Sequence, residues 1–227
     1  MEKHETAVRV FRELLSGANA ADRDSAVEGL RAAAKMTVWR RNQSCGSAID
    51  GGLVGCLLTG MVRRYSVRPD GHRQILDILF AGDFLGLVPS SHPFFVEAIS
   101  NDTEIAFFRP EHIKRLAGLH PAISHLLKDR LAEAVRRLED HLLVQSRITA
   151  FEKIAGYLVL LRKRAPQCTT TGLQVPISRY DIADHLGLAV ETVSRAMTSL
   201  RRCGAIAMTS PRQLEFQYAQ VRSGSLP

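Results

Sequence analysis

The sequence predicts an α+β fold: two N-terminal helices, a β-roll, one long helix and a C-terminal winged helix-turn-helix. Three observations carry that prediction. From about Thr37 to Arg109, short apolar segments alternate with Gly, Asp and Pro, a texture of regular short strands rather than alternating strand–helix units. Ala122 to Gln145 contains neither Gly nor Pro and repeats apolar residues every three or four positions. Ile177 to Met197 then reads as two short helices joined by a tight turn.

The elements follow in order. Thr6 to Leu15 carries Ala7, Val10, Phe11, Leu14 and Leu15 at helical spacing and stops at Gly17. Ser25 to Met36 is a second helix, with Ser25 as N-cap three residues before Glu28. Residues 1–34 therefore form an N-terminal helical segment and residues 35–120 the β-roll. Its clearest strands are 51–58, 60–67 and 73–80, with Gly51-Gly52 as a strand turn and Arg68-Pro69-Asp70-Gly71 as the turn between the last two. Helical texture returns at Pro110. On the long helix, residues 121–146, one stripe runs through Ile123, Leu127, Leu131, Ala134, Leu138 and Leu142, and a second through Leu126, Val135 and Leu143. One stripe is expected to cover the roll. Leu127, Leu131, Ala134, Leu138 and Leu142 are the expected dimerisation residues, meeting a second copy in a coiled coil. Residues 147–227 hold a helix from Ala150 to Lys163, a polar link from Ala165 to Gly172, the helix-turn-helix, and a hairpin wing. In the wing, 204–208 and 213–216 flank Ser210-Pro211-Arg212.

Within the helix-turn-helix, Ile182 and Leu186 mark the buried side of the first helix, and Val193, Met197 and Leu200 that of the second. Ala183 is small enough for a close crossing, and Gly187 suits a left-handed turn. Val190, Glu191, Ser194 and Arg195 are left on the outer face, where polar side chains can reach base edges. Charge agrees with that reading. Residues 147–227 hold 11 Lys and Arg against 5 Asp and Glu, or +6 of the chain's +7, so a polyanion such as double-stranded DNA is the expected partner.

Composition excludes other classes. At 45% hydrophobic residues the chain has a core, which rules out wholesale disorder. Met1-Glu2-Lys3-His4-Glu5 does not open a signal peptide, and no apolar run has the roughly 20 residues a membrane helix needs. A cytoplasmic protein with no membrane contact is expected. Cys45, Cys56, Cys168 and Cys203 lack CxxC spacing and read as free thiols. There is no nucleophile elbow, P-loop, paired metal-ligand spacing or dinucleotide fingerprint, so no enzyme is expected.

The order β-roll, long helix, winged helix-turn-helix resembles the Crp/Fnr family of bacterial transcription regulators over roughly residues 35–217. Gly60-Met61-Val62-Arg63, Asp70-Gly71-His72-Arg73-Gln74-Ile75-Leu76 and Gly82-Asp83-Phe84-Leu85-Gly86-Leu87 carry the resemblance in the roll, which is then cyclic-nucleotide-binding-like. Asp181 to Arg195 carries it most strongly. Val190 before Glu191, with Ser194-Arg195 after, is similar to the Fnr/FixK branch. That resemblance implies a homodimer reading a palindrome like TTGAT-N4-ATCAA, usually as an activator contacting RNA polymerase. Arg195 would pair with guanine, Glu191 with cytosine, and Ser194 with a base edge or a thymine methyl. Arg201 and Arg202 would meet phosphates or solvent. Val190, Thr192 and Arg179 complete the expected DNA-binding set.

The resemblance also bears on effectors. Cyclic-nucleotide-binding relatives hold the phosphate with an Arg-Ser pair, where this chain has His92-Pro93, and Gly86-Leu87 lacks the following Glu. Control by cyclic AMP is not expected. Fnr's N-terminal cysteine group is absent from residues 1–44, and no cofactor or metal is expected. Cys203, beside Arg201 and Arg202, is a candidate redox residue. The alternative reading is an effector-sensing regulator responding to haem, nitric oxide, redox state or another small ligand in the roll.

Overall fold

The structure, a computed structural model, describes residues 2–45, 52–88, 92–164, 174–175, 177–210 and 213–216. Cys168 and the Pro211-Arg212 turn lie outside them. The chain divides into two compact units: Met1–Asp70 with Leu76–Arg136, and Gly71–Ile75 with Arg137–Pro227.

The first unit begins with α1 (Glu2–Leu14) and α2 (Ala20–Ala33). The second of these corrects the sequence reading at both ends. Its N-cap is Asn19, whose side chain accepts from the Asp22 N–H at 2.9 Å, so Ser25 lies inside the helix and is exposed. Ala20-Ala21 are strong helix formers and extend the helix back to that cap. The helix ends at Ala33 rather than Met36, because Lys35–Trp39 is taken up as a strand, β1, paired antiparallel with β8 (Thr103–Phe108).

Two four-stranded sheets follow. One has the order β1-β8-β3-β6, with β3 at Val54–Leu57 and β6 at Phe84–Leu85. The other runs β2-β7-β4-β5, with β2 at Ser44–Cys45, β7 at Phe95–Ala98, β4 at Met61–Val67 and β5 at Arg73–Phe80. Side chains on a strand alternate between faces, and in β8 both faces are used. Ile105 and Phe107 join Trp39, Leu57, Val62, Leu79 and Val96 between the sheets. Ala106 and Phe108 join Phe11, Leu30, Cys56, Ile113 and Ile123 beneath the helices. A strand buried on both faces reads as a continuous apolar run, which is how Ile105 to Phe108 looks. Gly60 sets the start of β4. Its φ is +80°, and a Cβ there would sit 2.5 Å from Thr103 Oγ1 and 3.0 Å from the Thr103 Cα.

Helix α3 (Pro110–Leu119) leads to the long helix α4 (Pro121–Gln145). Asp22 of α2 caps its start: Oδ2 accepts from the Ala122 N–H at 3.0 Å, and Oδ1 lies 3.0 Å from His120 Nδ1. This hydrogen bond from Ala122, ahead of the contact with His120, holds the Asp22 carboxyl below its ordinary range. The first turns of α4 bury Ala122, Ile123 and Leu126, with Leu127 partly buried against the same core. Farther along, Leu131, Val135, Leu138, Leu142 and Leu143 are exposed.

In the second unit, α5 spans Ala150–Arg164, α6 Arg179–Leu186 and α7 Val190–Arg202. Short strands β9 (Gln174–Val175), β10 (Ile206–Ser210) and β11 (Gln213–Phe216) form one sheet in the order β10-β11-β9. The β10–β11 hairpin stands where the sequence places the wing. Ile154, Leu158, Leu161, Ile182, Leu186, Val193, Met197 and Leu200 are all buried.

Candidate nucleic-acid interface

The helix-turn-helix is fixed by local chemistry at each end of its first helix. Ser178 opens α6 with a capping box. Its Oγ accepts from the Asp181 N–H at 3.1 Å, and Asp181 Oδ2 accepts from the Ser178 N–H at 3.0 Å. The pattern Ser-x-x-Asp was present in the sequence as a cap signature, and the sequence reading passed over it. Gly187 closes the helix at φ 65°, ψ 38°, and the Leu188 N–H donates to the Ala183 carbonyl at 3.1 Å. The left-handed turn is cheap only for glycine.

Helix α7 then begins at Val190 with Ala189 as an N-cap that supplies no side-chain bond. Val193, Ala196, Met197 and Leu200 are buried. The 3.6-residue period turns Glu191 and Arg195, both exposed, to the opposite side. Val190, Thr192 and Ser194 are partly exposed beside them. Arg195 Nη2 lies 3.4 Å from Thr192 Oγ1, one turn earlier. From α6, Arg179 Nη1 reaches Ser194 Oγ at 3.5 Å, while its Nε is buried without a hydrogen-bond partner. Glu191, Thr192, Ser194 and Arg195 thus lie in the first two turns of α7, with Arg179 reaching Ser194 from α6. Arg201 and Arg202 are exposed in its last turn, two turns away, where cations also suit the helix dipole.

The thiols differ. Cys203 is the C-cap of α7, partly buried, with Sγ 3.2 Å from the Leu200 carbonyl. Cys56 is fully buried in β3, and burial pushes its thiol pKa far up, with the Asp83 charge adding to the shift. In the roll, Glu97 stands directly opposite Arg63 on β4, and Arg63 Nη2 donates to Glu97 Oε1 at 2.6 Å with both side chains 12% exposed. No group of three or more His, Cys, Asp or Glu suited to a metal ion occurs among the described residues. No helix among them is long and apolar enough to cross a membrane.

Residues 152–217 match the family described as the Crp-like helix-turn-helix domain. The chain is 36% identical over 155 residues to the nitrogen fixation regulation protein FixK of Bradyrhizobium diazoefficiens, covering 67% of this chain and 65% of that protein. It is 38% identical over 158 residues to FixK of Rhizobium meliloti, covering 69% of this chain and 70% of that protein. The matched part of this chain thus spans about two thirds of the length of these curated relatives. The solved structure of FixK2 from Bradyrhizobium japonicum superposes with a TM-score of 0.70 at 31% identity, covering 82% of this chain and 94% of that one.

Proposed function

We propose that this chain, which belongs to the Crp/Fnr family of transcription regulators, is a homodimeric activator that reads a TTGAT-N4-ATCAA-like palindrome without cyclic AMP. One observation carries the reading: Glu191, Ser194 and Arg195 share the solvent face of α7 at its uncapped start, with the opposite face buried. In a major groove, Arg195 gives two hydrogen bonds to guanine O6 and N7, and Glu191 accepts from cytosine N4. Ser194, steadied by Arg179, meets a neighbouring base, and Val190 gives apolar contact to a thymine methyl. Thr192, Arg201 and Arg202 contact the backbone, adding affinity that carries no sequence information.

Two copies are needed to read a palindrome, and the exposed residues Leu131, Leu138 and Leu142, with Val135, supply a seam on α4. Ala134, partly buried, lies beside it. Leu127 contributes to the core of its own unit first. Independence from cyclic AMP is supported by the roll. His92-Pro93 replaces the phosphate-holding pair, and in the same roll Arg63 is paired with Glu97. RNA polymerase is the partner an activator of this type acts on.

A gel shift on a TTGAT-N4-ATCAA duplex against a scrambled duplex tests the reading. The wild type should prefer the palindrome, with no change on adding cyclic AMP. Arg195→Ala should lose about 5- to 150-fold on the palindrome, from the roughly 1–3 kcal/mol of one bidentate base contact. Equal binding to both duplexes rejects it.

A further inference from the structure

The compact unit that carries α5, α6, α7 and the hairpin includes five residues from much earlier in the chain, Gly71–Ile75. They meet α6. Arg73 Nε donates to Asp184 Oδ2 at 2.8 Å, and Arg73 Nη2 donates to Asp181 Oδ1 at 3.2 Å. Gln74 Nε2 donates to the His185 carbonyl at 3.2 Å, and the Ile75 carbonyl lies 3.1 Å from His185 Nδ1.

We propose that Arg73 is a positioning residue for DNA reading: it holds α6, and through α6 it sets α7, without touching DNA. The inference rests on the DNA-binding reading above. Helix α6 is eight residues long, too short to persist without tertiary support. Its capping acid, Asp181, has a side chain only 3% exposed. One oxygen of that carboxylate serves the Ser178 cap, and the other faces Arg73. Removing the guanidinium takes the ion pair from a nearly buried carboxylate at the start of the helix. The consequence passes to α7, because the two helices pack together and Ile182, Ala183 and Leu186 on one, with Val193, Ala196 and Met197 on the other, are all buried. Arg73 is ill suited to bind phosphate itself. It sits between two carboxylates, Asp181 and Asp184, so the cluster carries net negative charge.

The test uses the full chain with Arg73→Ala and Arg73→Lys, and reads DNA affinity, its salt dependence and amide exchange in α6 without DNA. Arg73→Ala should weaken palindrome binding at least tenfold. The slope of log affinity against log salt should stay at the wild-type value, and the amides of residues 182–186 should exchange at least tenfold faster. Arg73→Lys should recover part of each, and it decides the matter if the alanine variant does not fold. Palindrome affinity within twofold of wild type, with unchanged exchange, overturns the proposal. So does a slope smaller by about one with unchanged exchange, the mark of a lost phosphate contact. If wild type itself does not prefer the palindrome, the function reading fails, and the exchange data still decide whether Arg73 holds α6.

Discussion

Glycine 187 does what no other residue in the helix-turn-helix does. At φ +65° it ends α6 and turns the chain into α7, and a Cβ there would meet nothing within 4 Å. Substitution is therefore a matter of backbone strain alone, which separates it from a packing defect. Gly187→Ala should destabilise the protein by about 1–2 kcal/mol, measured as a shift in urea midpoint with unchanged slope. A shift near zero would mean that the turn relaxes. The same residue was plain in the sequence, as were the buried positions around it, because period and turn chemistry are local. Arg73 was not. Its bonding partners Asp181 and Asp184 lie more than a hundred residues on, and no local pattern announces a salt bridge across that separation.

Among the elements, helix ends were harder to read than helices. Ser25 with Glu28 matched a cap signature, yet Asn19 took the role, and Glu28 instead accepts from Arg31 Nε at 2.9 Å. The start of α4 could not have been read locally at all, since its cap comes from another helix. Asp22 supplies it, and its lowered pKa makes the junction pH-dependent. A carboxyl whose folded value lies below its unfolded value near 3.9 stabilises the fold at all higher pH. That contribution fades as pH falls below about 4 through the folded value. Asp22→Asn should thus be less stable than wild type at pH 7, with the gap closing as pH falls below about 4. Urea midpoints across that range measure it, and a gap independent of pH would show that charge at Asp22 is irrelevant. On α4 the two apolar stripes were legible, but not their use. Position along the helix divides them, with the first turns buried in a core and Leu131, Val135, Leu138, Leu142 and Leu143 exposed.

For the whole molecule, that exposed run bears on the proposed assembly. Leu131, Val135, Leu138 and Leu142 are spaced four, three and four residues apart and are 36%, 55%, 56% and 68% exposed. This is the repeat of a two-stranded coiled coil. Leu138→Asp should turn a dimer into a monomer at micromolar concentration by light scattering, and binding to the palindrome should fall with it. A variant that stays dimeric would place the seam elsewhere. The +6 charge of residues 147–227 favours a polyanion, and in the proposed dimer the seam would set the spacing of two such halves.

The five residues Gly71–Ile75 also limit how this chain can be recombined. A C-terminal segment taken from Arg147 onward leaves behind the arginine that pairs with Asp181 and Asp184 on α6. Chimaeras grafting it onto a foreign N-terminal unit would lose both of those ion pairs. Exchange among such regulators should succeed only where the donor brings Arg73, or where Asp181 and Asp184 have changed with it.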